Sequence, residues 1–344
     1  MTTFPTFPTF PTFLKTTLFS TLALLVSAAL ARPAAATELK IATLAPSGSA
    51  WAKIMEKGAK NVGTTSAGRV TLKYFFNGQQ GDERDVVRKM TGGQLDGAAL
   101  TAVGLGLIVK DVRVLELPAM FKTDKELDYV RDRLRPDFEA QFEKAGYKLI
   151  SWGDVGWVHM LSNIELKTRA DIGKTKMWAW TDDVIVRELF RRLGVNGVPL
   201  GVPEVLPALQ TGLIDACYGS PLAAVALQWY KKVKFASAQP LSYAIGAYVI
   251  RKDVFERLAP ADQQILLEGG RTMGAELMKN VRKDNDRAAK AMQKAGITFV
   301  QAPPALMAEL EKGAHEVWQA LIGKVYPKEL LAKVIATREA CKCR

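Results

Sequence analysis

Cysteine and histidine are the scarce residues of this chain: three cysteines and two histidines in 344 positions. With only His159 and His315 there is little material for a histidine-centred active site. Cys341 and Cys343 sit one residue apart at the C-terminus with no histidine beside them, which makes a poor metal site. An oxidising compartment permits a bond from that tail to Cys217, and free cysteines fit equally well. Acidic residues are missing altogether from the first 36 positions. There Lys15 precedes a small and apolar run over 18–31, followed by the small residues Ala34, Ala35 and Ala36. That is the layout of a secretory signal peptide, with cleavage expected after Ala36 or, as the second choice, Ala31. The run falls short of the roughly 20 residues that span a bilayer, which argues against an anchor helix. No cysteine stands near the cleavage positions to carry a lipid. The opening repeat "FPTFPTFPTF" has proline at every third place and forms no stable helix; no role is assigned to it.

Zinc-finger spacing, an RNA-binding aromatic signature and a concentrated basic arm are all missing as well. The formal charge of +12, reduced to +10 once Lys15 and Arg32 leave with the signal segment, is dispersed and interleaved with acids, as in "RDRLRPDFEAQFEKAG". A basic exported protein is the simplest account; its field favours an anion or an acidic membrane surface. Phosphate loops and nucleophile elbows are likewise absent, so nothing calls for a cofactor or a metal.

What is present is alternation. "ELKIATLAP" reads as a strand, Trp51 opens a helix, "RVTLKYFFNG" is a strand, "GDERDVVRKMTGG" a helix and "QLDGAALTA" a strand. This order predicts an α/β fold with a mostly parallel sheet, whose ligand loops lie at the carboxyl ends of the strands. Pro46 to Ser49, Asn77 to Asp82 and Leu100 to Gly104 are thereby brought together. After a charged helix near 124–145, the second half repeats the pattern. "KMWAW" is a strand, Thr181 the expected helix cap with Asp182 and Asp183 in the first turn, and Ile185, Val186, Leu189, Phe190 and Leu193 the buried face, ended by Gly194. "GLIDACYG" is a strand, and Pro221 begins a helix that carries Trp229 and Tyr230. One long helix covers 261–294, and the chain is helical again to about 337.

The stretches "LAPSGSAWAKIMEKGAKNV", "YFFNGQQGDERDVVRKMTGGQLDGAA", "LELPAMF", "ADIGKTKMWA" and "GVPEVLPALQTGLIDA", followed by the Pro221 helix, keep one order and spacing over 37–335. In these the chain resembles the extracytoplasmic solute receptors of tripartite ATP-independent periplasmic (TRAP) transporters, the dicarboxylate-receptor-like DctP family. The resemblance implies a soluble periplasmic protein of two α/β domains, with the ligand cleft between them and a long helix spanning both. Its domains would be 37–154 with about 240–282, and 155–239 with about 283–344. It also implies capture of an organic acid and delivery to a membrane permease.

The same resemblance locates a departure. Where the family commonly carries an arginine that grips the substrate carboxylate, this chain has Trp178; a second basic position falls near Val158, between Trp157 and His159; and the usual asparagine before Pro221 gives way to Cys217, Tyr218, Gly219 and Ser220. An indole offers one donor and a large apolar face in place of a donor fork. The expectation is therefore a hydrophobic or amphipathic ligand lined by Trp178, Val158, Trp157 and Tyr218, with Leu100 and Thr101 as floor and Gln80 as a ligand or closure contact. Ser220, the amides after it, His159 or a lysine elsewhere are the candidates for a ligand carboxylate. For Trp180, the rim of the site competes with hinge packing; for Glu204, the ligand competes with simple helix-start chemistry. Two other functions compete with delivery to a permease: exchange of a hydrophobic ligand with a periplasmic helical-repeat lipoprotein or other carrier, and an enzyme drawing on Asp82, Glu83, His159 and Cys217.

Overall fold

A computed structural model describes residues 1–6 and 36–343. The signal segment over 18–31 lies outside the described residues. The chain divides into the units Met1–Thr37 and Glu38–Arg344, and the description below concerns the second.

The first half builds β1 (Thr37–Thr43), α1 (Ala50–Thr65), β2 (Val70–Phe75), α2 (Glu83–Thr91), β3 (Gly97–Thr101) and α3 (Ala102–Ile108). A 3-10 turn over Lys110–Glu116 and α4 (Asp124–Lys144) follow. Ser49 caps α1 by accepting from the amide of Ala52, and Thr101 caps α3 by accepting from that of Val103. Alternation along β1 assigns its faces: Leu39 and Ile41 pack with α1, whereas Ala42 joins Val86, Met90 and Leu105 on the other side.

The next strand, β4 (Tyr147–Ser162), is 16 residues long and runs through both lobes. The second lobe then adds α5 (Arg169–Lys174), β5 (Trp178–Trp180), α6 (Val184–Leu193), β6 (Val198–Leu200), α7 (Val202–Thr211), β7 (Ala216–Gly219), α8 (Pro221–Ala226) and β8 (Phe235–Ser237). A return strand, β9 (Ser242–Arg251), leads to α9 (Lys252–Glu256), α10 (Pro260–Lys294), β10 (Thr298–Val300), α11 (Pro304–Ala320) and α12 (Lys328–Glu339).

β9 runs antiparallel along β4 from Tyr147↔Arg251 to Val158↔Ser242 and carries β3 on its other edge, giving the order β2-β1-β3-β9-β4 in the first lobe. The last residues of β4 cross over: His159 to Ser162 pair with β7, and Leu161 and Ser162 also pair with β8. A register shift between Asp154 and Gly156 marks the crossing. Gly156 has φ +119°, and a side chain there would meet Asn285 of α10 at 2.4 Å, so the bulge requires glycine. α10 is 35 residues long and spans both lobes, pinned by Arg282 on Asp154 and Asp128 and by Asn285, which accepts from the amide of Leu222 in α8.

Two local expectations need correction. Asp183, not Thr181, caps α6, accepting from the amides of Ile185 and Val186 at 3.2 Å each. The Pro221 helix stops at Ala226; Gln228 turns to φ +62°, and Trp229 begins a separate 3-10 turn. α12 packs on the first lobe, where Lys333 pairs with Asp137 of α4 and Arg338 donates to the carbonyl of Met120. Cys217 is buried in β7 and unpaired, while Cys341 and Cys343 bond to each other.

Candidate functional site

A cavity of about 210 Å³ lies between the lobes, at the carboxyl ends of β1, β3, β5 and β7. The first lobe contributes Leu44, Pro46, Leu100, Thr101 and Val103, with Trp51 and Met55 from α1. Val155, Val158 and Ala244 enter from the crossing strands, with Leu241 just ahead of β9, and the second lobe contributes an aromatic group.

That group is centred on Trp178, whose ring stacks on Tyr218 with centroids 4.6 Å apart and meets Trp229 edge-on at 5.3 Å. Its single donor, Nε1, goes to the carbonyl of Leu200 at 3.0 Å, so the indole offers the cavity carbon and not a hydrogen bond. At 2% exposure Trp178 is both core and wall. Trp180 stacks at 6.0 Å from Trp178 and turns its own Nε1 out of the second lobe, to Asp82 Oδ2 of the first at 2.7 Å.

Asp82 is one of three first-lobe residues held by the short segment 180–183. Arg84 Nε donates to Asp182 Oδ2 at 2.9 Å, and Arg113 donates to Asp183 Oδ1 at 2.6 Å. The "WTDD" of the sequence is thus a latch across the cleft mouth, made where β5 ends and α6 begins. The Arg113–Asp183 pair is the buried member, with side chains 4% and 7% exposed.

Two helix glycines make room for the ionisable floor. A side chain at Gly104 would meet Glu83 at 2.7 Å, and one at Gly106 would meet the Arg113 stem at 2.8 Å. Glycine inside a helix costs about 1 kcal/mol against alanine, and here the space it leaves is filled by Glu83 and Arg113. Glu83 accepts from the Thr101 amide and hydroxyl and from the Gly104 amide at 2.6 to 2.8 Å. Burial outweighs those donors and pushes its carboxyl up to about 8. Glu116, which accepts from the Ile245 amide, is likewise pushed by burial to about 7. Arg113 is the one cation among the described lining residues.

Of the positions singled out in the sequence, Trp178, Val158, Tyr218, Ser220, Leu100 and Thr101 line the cavity. Trp157, His159 and Gln80 do not. Trp157 donates to Asp124 Oδ1 at 2.8 Å and packs edge-on against Tyr243. His159 donates from Nδ1 to the carbonyl of Ser237 at 2.7 Å, and burial lowers its pKa. Strand alternation is the reason: with Val158 facing the cavity, its two neighbours point away. Gln80 is occupied with Lys89. Ser220 uses its hydroxyl to cap α8, and Glu204 accepts from the Gly201 amide, the helix-start role. Arg113 was legible only as a charge inside the apolar run "VRVLELP". Asp82 and Glu83 adjoin the cleft, but His159 is bonded to the Ser237 carbonyl and Cys217 is a free thiol buried in β7 outside the lining, so among the described residues no acid, base and nucleophile converge.

A family model described as bacterial extracellular solute-binding protein, family 7 (DctP), matches residues 41–324. A solute-binding protein of Verminephrobacter eiseniae is 26% identical over 277 residues, covering 78% of this chain and 81% of that one. Among solved structures, the sugar acid binding protein DctPAm from Advenella mimigardefordensis, in complex with galactonate, superposes with a TM-score of 0.83 at 18% identity, over 89% of this chain and 98% of that one. A TRAP periplasmic solute binding protein from Ralstonia eutropha with bound (S)-2-acetolactate gives 0.83 at 21% identity, over 88% and 99%. These likenesses establish the two-domain periplasmic binding-protein fold.

Proposed function

Because the chain belongs to family 7 of the bacterial extracellular solute-binding proteins, a family of receptors and not of enzymes, we propose that it is a periplasmic receptor for a mainly hydrophobic or amphipathic organic molecule. The observation that carries this is the lining: mostly aliphatic and aromatic side chains, with Trp178 at the place where the resemblance expects a donor fork, and one cation among the described lining residues, already paired. The size of the cavity narrows the class. A cavity of about 150 Å³ lined by apolar side chains takes up benzene, so 210 Å³ suits a compact ring or a short branched chain rather than an extended lipid. Burial of such a ligand is favourable at about 25 cal/mol per Å² of apolar surface, and the lobes close when their contacts with it outweigh the open state.

Delivery to a TRAP-type permease follows from the family's mode of action; exchange with a periplasmic carrier lipoprotein is the alternative. Among the described residues no helix is long and apolar enough to cross a membrane, which fits a receptor that meets its permease as a separate chain. A second reading, capture of a small hydroxy or sugar acid, draws on the galactonate and acetolactate held by the two relatives. Calorimetric titration separates the readings. Micromolar binding of compact aromatic or branched apolar molecules, with none for C4 dicarboxylates or galactonate, is expected; the reverse order refutes the proposal.

A further inference from the structure

The cavity's only described cation comes with its own counter-ion. Asp183 Oδ1 lies 2.6 Å from Arg113 Nη2, and Glu116 Oε2 lies 3.5 Å from the same nitrogen. Two carboxyl groups thus share one guanidinium inside a water-poor space. Asp183 is fixed there independently of any ligand, because the same oxygen caps α6 through the amides of Ile185 and Val186. Gly106 holds the other half in place by leaving room for the Arg113 stem. A ligand carboxylate arriving at this point would bring a third acidic group to one cation, and its desolvation would be met by repulsion rather than by a free donor fork.

Arg113 nevertheless remains short of one partner. Its Nε is buried without a hydrogen bond, and an unmet buried donor is costly. A ligand hydroxyl, carbonyl or amide oxygen set against the guanidinium adds no charge to this cluster, whereas a carboxylate does. Resting on the apolar-ligand reading above, we infer that Asp183 sets the specificity of the site: it occupies Arg113 from within the protein, so that the ligand's polar end is a neutral hydrogen-bond acceptor and carboxylates are turned away. Asp183 and Arg113 belong to opposite lobes, so the chain itself supplies the anion that ties the cleft together.

The test is a matched panel: benzamide with benzoate, and branched short-chain amides with the corresponding acids, titrated at neutral pH into the wild type and Asp183→Asn. Asparagine keeps an oxygen for the α6 cap and loses the charge; thermal unfolding verifies that the variant is folded. For each skeleton that binds, the wild type is expected to prefer the amide by about tenfold or more, and Asp183→Asn to erase or invert that preference. A wild type that binds acid and amide alike overturns the inference while leaving the apolar reading standing. An amide preference unchanged in a folded Asp183→Asn overturns Asp183's part in it. If no apolar skeleton binds and galactonate does, the apolar reading fails and takes the inference with it.

Discussion

Replacing Gly106 with alanine separates the chemistry of the cleft from the stability of the fold. The added Cβ would stand 2.8 Å from both Cγ and Cδ of Arg113, about 1 Å inside the usual carbon–carbon separation. These are atoms in the middle of the side chain, so relief requires the guanidinium to move. A shift of about 1 Å carries the 2.6 Å bond to Asp183 past the range of a good hydrogen bond. A hydrogen bond to a charged group is worth about 1.5–3 kcal/mol. This one exists only when the lobes meet, so the loss falls on closure and appears as a drop of about 10- to 150-fold in ligand affinity. Alanine also favours the helix by about 1 kcal/mol, in the open and closed forms alike. The ligand-free protein should therefore melt at the same temperature or slightly higher. Titration with the best-binding amide, small-angle scattering with and without it, and calorimetric melting measure the three quantities. Unchanged affinity, or a loss of affinity matched by a lower melting temperature of the free protein, would refute the reasoning.

Three further outcomes follow from named contacts. Trp180→Phe and Asp82→Ala each remove the 2.7 Å bond across the cleft. In a double-mutant cycle on ligand affinity they should show a coupling of about 1 kcal/mol or more, and additive effects would contradict the latch. Trp178→Ala empties a buried aromatic position held by Tyr218, Trp229 and the Leu200 carbonyl, and should lower unfolding free energy by about 3–5 kcal/mol in denaturant titration. The third concerns pH. Folded Glu83 keeps its proton up to about 8 against an ordinary 4.5, so between those values the folded state binds more protons than the unfolded state. Its contribution makes stability fall as pH rises from 4.5 to 8 and level off above; Glu83→Gln should flatten that slope, and an equal slope in both proteins would count against it.

The architecture was legible because strand and helix periods alternate cleanly along the chain, and because Gly194 and the long helical stretch after Pro260 are strong local signals. Trp178 stood out through its position in a recognisable series of motifs. The placements that differ from expectation share one cause, which is that facing depends on tertiary register. Trp157, Val158 and His159 are consecutive in an extended strand, so they cannot all face one cavity; local sequence does not say which residue does, and only Val158 lines it. Asp182 and Asp183 look like first-turn acids of any helix; their bonds to Arg84 and Arg113 join positions 98 and 70 residues apart. Arg113 carried the one local hint, a charge set among valines and leucine, which is unusual enough to suggest a built partner. The short helix α3, "AVGLGLI", hid its purpose until the two glycines were seen beneath Glu83 and Arg113.

The most direct test of the central claim is native mass spectrometry of the protein purified from its own periplasm, with the retained molecule extracted and identified. A compact, largely apolar molecule with a neutral oxygen at one end is the predicted result. A sugar acid or a C4 dicarboxylate in its place would contradict the account.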